Sequence, residues 1–278
     1  MRVRHAAWAD QFYPGNADQL KQIINSYLQM SEKLGFERIV GLVSPHAGYV
    51  FSGRTAALAY KQIQGKKYAT VVLIAPSHGA FIDGVSAFNG DCYETPLGRV
   101  PVDEPGVTTL ADAASNIHMS STGHESMGDR AEHSLEVQLP FLQMVLHDFK
   151  IVPLVFHDYS WDNCRQLGEA VATVFDPDHT LIVASSDLYH GHSYSECQRM
   201  DDATLHSMEN DSPIQFCFSS NNQKVMACGA GPITALKIIA EKWGAQQPQV
   251  IARSNSADVT GAKGGYVVGY AAAVAVKS

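Results

Sequence analysis

Short apolar runs alternate with segments of helical periodicity along most of the chain. From Asp18 to Leu34, the apolar residues Leu20, Ile23, Ile24, Tyr27, Leu28 and Met30 recur at helical spacing, with Asn16 or Asp18 as the cap. Further helices are predicted over 53–63, 136–146, 162–174, 200–208 and 232–243. Between them, 39–43, 70–75, 150–156, 180–184, 250–253 and 266–276 are apolar runs that read as strands. The turn-rich stretch from Glu94 to Asp103 reads as a hairpin or loop excursion. Strands alternating with helices of this length predict an α/β fold, a mostly parallel sheet covered by helices on both faces. No Pro/Ser-rich linker, charge block or tandem repeat divides the sequence, so residues 1–278 are expected to form a single domain.

Composition narrows the function classes. Apolar residues make up 45% and charged residues 17%, enough for an ordinary core without disulfides or a structural metal. The net charge of −8, with no basic cluster, argues against nucleic acid as a partner. Five scattered cysteines without a CxxC pair fit a reducing compartment. The N-terminal stretch lacks the apolar core of a signal peptide, and no run approaches the roughly 20 apolar residues of a membrane span. A cytoplasmic location away from membranes is expected. Walker, GxGxxG, HExxH and GxSxG patterns are missing, which lowers the weight of nucleotide hydrolysis, dehydrogenase, zincin and serine-hydrolase chemistry.

The candidate chemistry lies where strands end. Three apolar runs give way to Ser44-Pro45-His46-Ala47-Gly48-Tyr49, Pro76-Ser77-His78-Gly79 and Ser185-Ser186-Asp187-Leu188-Tyr189-His190. Ligands of open α/β sheets bind beyond the carboxyl ends of strands, so these residues are predicted to converge. His46 and His78 suit a metal. Asp187 and His190, three residues apart, would face the same way on a helical turn and suit proton transfer. Ser185, Ser186 and Asp187 equally suit a helix cap. Cys228, just before a helix that Pro232 would open at its first position, is a candidate thiolate ligand or nucleophile. A buried, inert thiol is the alternative. Glu132 and His133 open a charged helix start and are candidates for supporting the site or binding substrate; helix capping is the alternative.

Several ordered motifs carry a family resemblance. Gln11-Phe12-Tyr13-Pro14-Gly15, Pro45 to Gly53, Pro76-Ser77-His78, Thr95-Pro96-Leu97-Gly98, Glu132 to Glu136, Ser185 to Leu188, Cys228 to Ile233 and Ser254 to Gly261 together resemble the Memo family. Its microbial members are called AmmeMemoRadiSam system protein B. The resemblance covers nearly the whole chain. It implies a single α/β/α domain similar to class III extradiol dioxygenases, non-haem iron enzymes that cleave catechol rings. By motif, it makes His46, His78 and Cys228 metal ligands, completes the pocket with Asp187 and His190, and implies iron or copper. It also implies association with radical-SAM and AMMECR-type proteins, and it links the animal member to cell motility and phosphotyrosine-peptide binding. The sequence departs from the dioxygenase pattern at one ligand, a cysteine where those enzymes use a carboxylate. Thiolate is the softer donor and favours Cu(I), zinc or a differently tuned iron.

The expected function is that of a metal-dependent redox enzyme, with iron(II) foremost and copper or zinc as alternatives. Asp187 and His190 would move protons, and Glu132, His133 and Tyr49 would contact a small-molecule substrate. The alternatives are a non-catalytic protein whose pocket binds a peptide or partner, and a metal-free cysteine hydrolase with Cys228 as nucleophile.

Overall fold

The computed structural model describes residues 1–125, 131–262 and 264–277. The chain begins with β1 (Val3–Arg4), α1 (Ala17–Met30), β2 (Ile39–Ser44), α2 (Tyr49–Ile63), β3 (Thr70–Pro76) and β4 (Val85–Phe88). The hairpin β5 (Cys92–Thr95) and β6 (Gly98–Pro101) leads to α3 (Glu104–Ala113) and β7 (Ile117–Ser120). A 3-10 turn (Glu136–Gln138) runs into α4 (Leu139–Val145), followed by β8 (Lys150–Phe156), α5 (Trp161–Val174), β9 (Thr180–Ser185) and β10 (His190–Gly191). Then come α6 (Tyr194–Asn210), α7 (Pro213–Asn221), α8 (Ala230–Lys242), β11 (Gln249–Asn255), α9 (Ser256–Thr260) and β12 (Val267–Val276).

The main sheet runs β10-β12-β2-β9-β3-β8-β4-β7, with β11 also paired to β12. It is mixed rather than mostly parallel. The ladders β2/β9, β9/β3, β3/β8 and β4/β7 are parallel; those of β12 with β10, β11 and β2, and of β4 with β8, are antiparallel. Parallel pairing is thus concentrated in the middle, where helices cover the strands and their residues are apolar without alternation. Strands β2 and β9 are buried along their whole length. Gly41 in β2 gives α8 room: a Cβ there would lie 2.3 Å from the Leu236 Cδ1 methyl, which would have to shift. A small second sheet, β1-β5-β6, ties the N-terminus to the predicted hairpin.

Most predicted elements recur within a few residues, and Asn16 caps α1 through the Asp18 and Gln19 amides. Three local expectations change. Helix α2 starts at Tyr49, not at 53, because Tyr49 N–H donates to Phe12 C=O and Ser52 Oγ turns back to Ala47 C=O. Helix α8 starts at Ala230, which makes Pro232 its third residue. Residues 186–189 are neither helical nor a cap, and Ser193 caps the next helix instead.

Candidate metal centre at the strand ends

Strands β2, β9 and β3 are parallel neighbours in that order, so their carboxyl ends stand side by side. His46 lies two residues beyond β2, Asp187 two beyond β9, and His78 two beyond β3. Cys228 is delivered from the loop before α8. Its N–H donates to Asp187 C=O at 3.1 Å, and Gly229 N–H donates to Ser186 Oγ at 2.9 Å. A side chain at 229 would meet Ser185 C=O at 2.2 Å, so glycine is needed for this approach. Ligand atoms of His46, His78 and Cys228 lie within 4.8 Å of one another. A second group, His78, Glu132 and His133, shares His78 and meets the same criterion.

Hydrogen bonding fixes both imidazoles in the tautomer a metal needs. Ser185 O–H donates to Ser134 C=O at 2.7 Å, so its lone pairs are left to accept. One accepts from Gln138 Nε2 at 2.8 Å and the other from His46 Nδ1 at 2.9 Å. Gln138 is oriented in turn by Tyr60, whose hydroxyl donates to Oε1 at 2.7 Å. His78 Nδ1 faces the Glu132 carboxylate at 2.9 Å, and the same carboxylate accepts from His78 N–H at 2.6 Å. Each Nδ1 therefore carries its proton, and in the neutral ring each Nε2 keeps its lone pair, with an outer partner aligning the ring. The Cys228 thiol sits 3.1 Å from His46 Nε2.

Electrostatics keep the His46–Cys228 pair neutral. Burial, then the imidazoles of His78, His133 and His190, hold His46 well below its ordinary pKa. Burial, then the Asp187 carboxylate, pushes the Cys228 thiol well above the usual range. The helix start was expected to favour thiolate; desolvation outweighs it. Burial also lifts Asp187 to about 7, against the bonds from the His46 and Ala47 amides. Burial raises Glu132 less than its bond and charge pairing with His78 lower it, leaving it at about 2. For His78, burial is outweighed by Glu132, and its pKa rises. His133 falls to about 4, mainly through burial. The neutral His46 ring, the His78 ring once its Nε2 proton is released, and one thiol that can be deprotonated form a donor set suited to copper(I), zinc or iron.

The other singled-out residues take varied places. Glu132 and His133 reach the cluster: the His133 ring lies 4.6 Å from His78 and 5.4 Å from His46. Asp187 Oδ1 accepts from His46 N–H at 2.8 Å. His190 is held by Leu188 C=O, 3.0 Å from Nδ1, rather than by Asp187. Tyr49 is 3% exposed and spends its hydroxyl on Val137 C=O at 2.7 Å, so it offers no free group to a ligand. A cavity of about 220 Å³ opens beside His78, Glu132 and His133 and is walled by Trp8. Ser185, Gln138 and Tyr60 were not singled out in the sequence as supports of the site. An SSD run can be read as a cap, and a glutamine has no spacing that betrays its partner.

Comparisons with known proteins place this site in a family. A family profile described as "Memo-like protein" matches residues 4–274. A "MEMO1 family protein" of Nitrosopumilus maritimus is 34% identical, covering 97% of this chain and 98% of its own. One from Aquifex aeolicus is 33% identical, covering 94% and 95%. The crystal structure of an uncharacterized Escherichia coli K12 protein superposes with a TM-score of 0.50 at 13% identity, covering 84% of this chain and 99% of that one, a likeness of fold alone. With the profile spanning nearly its whole length and relatives matched end to end, the chain belongs to the Memo family.

Proposed function

We propose that this protein binds one transition metal ion through His46 Nε2, His78 Nε2 and Cys228 Sγ and is a metal-dependent redox enzyme, related to the class III extradiol dioxygenases. What carries the reading is the tautomer lock: two imidazoles with protonated Nδ1 atoms, and Nε2 atoms free to meet one thiol. Iron(II) is the foremost metal, with copper and zinc as alternatives, since the thiolate is a softer donor than a carboxylate. When bound, iron or copper would supply electron transfer and lower the pKa of a coordinated hydroxyl. His190, its Nδ1 given to Leu188, presents Nε2 as a proton acceptor, and Asp187 holds the His46 main chain. Glu132 and His133 border the cavity a small substrate would enter.

Metal content after anaerobic purification and reconstitution with Fe(II) or Cu(I) tests this. About one metal per chain, lost in His46→Ala, His78→Ala and Cys228→Ser, is the expected result. A wild-type chain without stoichiometric metal overturns it.

A second reading is a non-catalytic protein that uses the pocket to bind a peptide or partner. The first turn of α2 and the loop after His78 favour it, since they leave Val50, Phe51 and Phe81 exposed. Partner affinity that survives metal removal would support that reading over the first.

A further inference from the structure

We propose that Arg4 is a positioning residue of the metal centre, an inference that rests on the metal-binding reading above. Its guanidinium is 2% exposed and links three segments. Nη2 donates to Glu132 C=O at 2.7 Å, and Nε donates to His124 C=O at 2.9 Å. Nη1 donates to His5 C=O and to the fully buried Glu136 carboxylate. One side chain thus holds the main chain of the residue whose carboxylate aligns His78.

The same ion pair fixes the cavity wall. Glu136 accepts from the Trp8 N–H at 2.9 Å, from the Ala7 N–H and from the Tyr13 hydroxyl. Trp8 Nε1 donates to Ala131 C=O at 2.8 Å, and its ring meets His133 edge-on at 5.4 Å. The planar fork serves these acceptors at once, which an ammonium cannot do. Without it, Glu132 loses its main-chain anchor, and the orientation of the His78 ring is no longer imposed from outside the centre.

Co(II) uptake by the full-length protein is the test, read as affinity in chelator competition and as the ligand-field spectrum of the bound ion. Arg4→Met and Arg4→Lys are compared with Leu110→Ala, a core variant in α3 away from the site, after melting temperatures are recorded. Both Arg4 variants are expected to bind Co(II) about tenfold to hundredfold more weakly and to alter its spectrum. Leu110→Ala is expected to keep both at wild-type values despite a lower melting temperature. Arg4→Lys decides the matter if Arg4→Met does not fold. Arg4 variants no weaker in Co(II) binding than Leu110→Ala overturn this inference alone. A wild-type chain that takes up no Co(II) overturns the metal-binding reading and this inference with it.

Discussion

Two buried polar clusters lie within one wall of each other, and they differ in what is left over. Around Arg4, Glu136 and Tyr13, the carboxylate takes the guanidinium, two backbone amides and a phenol, and Arg4 finds three carbonyls besides. The cluster is closed. At the strand ends, outer partners occupy the Nδ1 atoms of His46 and His78, and the Asp187 N–H donates to Cys228 Sγ at 3.3 Å, but the imidazole Nε2 atoms turn inward, that of His46 to the thiol at 3.1 Å. Saturation marks a cluster that holds the fold together. Aligned lone pairs left without an outer partner mark one that awaits a ligand. Buried charge alone separates neither, since both clusters contain a buried carboxylate.

The largest expected effect comes from breaking the closed cluster. Glu136→Gln leaves Arg4 buried without its counter-charge and should cost about 3–5 kcal/mol of stability, measured by urea unfolding. A loss below about 1 kcal/mol would mean that water replaces the carboxylate and that the cluster is not closed.

His124, whose carbonyl accepts from Arg4, gives a pH test of the same cluster. Burial, against its bond to Ser86 C=O, lowers its pKa from 6.5 to about 4. The native state therefore favours the neutral ring. That stability is fully present above pH 6.5 and is lost as pH falls towards 4, a change of about 3 kcal/mol. Denaturation at pH 7.5 and pH 4 should show a fall larger by about this amount in wild type than in His124→Asn. Equal falls would remove His124 from the account.

A smaller effect is expected where the two clusters' logics meet. Ser185→Ala leaves the Gln138 amide and His46 Nδ1–H without their acceptor, costing about 1–3 kcal/mol. It should also weaken metal binding by about tenfold or more. Unchanged affinity in chelator competition would sink the tautomer lock. The smallest stability change should follow Cys228→Ser, about 1 kcal/mol or less, with metal uptake abolished. A protein that unfolds on losing this thiol would place it among the closed contacts instead.

Much of the fold was legible because hydrophobic period reports local geometry. Strands β2, β3, β8 and β9 are continuous apolar runs, and α1 shows its buried Leu20, Ile24 and Leu28 at helical spacing. The short strands β4 and β7 and the helices α3 and α7 escaped notice: β4 is buried throughout but only four residues long, and few residues of the others face the core with a clear period. The reversal of β4 against β8 was equally invisible, because strand direction depends on the connection and not on composition.

What the sequence determined by itself is the set of strand-end residues, because a strand that stops at Pro-His or Ser-His places that histidine just beyond its carboxyl end. The order of motifs likewise determined the family. What only the tertiary structure decided is how those residues are held. The lateral order β2-β9-β3 brings His46, Asp187 and His78 together. Packing of the loop before α8 sets Cys228 against His46, and the pairing of Arg4 with Glu136, 132 positions apart, closes the wall beside them. Tautomers and desolvation follow from those long-range contacts. A periodicity read over a dozen residues carries no information about a partner a hundred residues away.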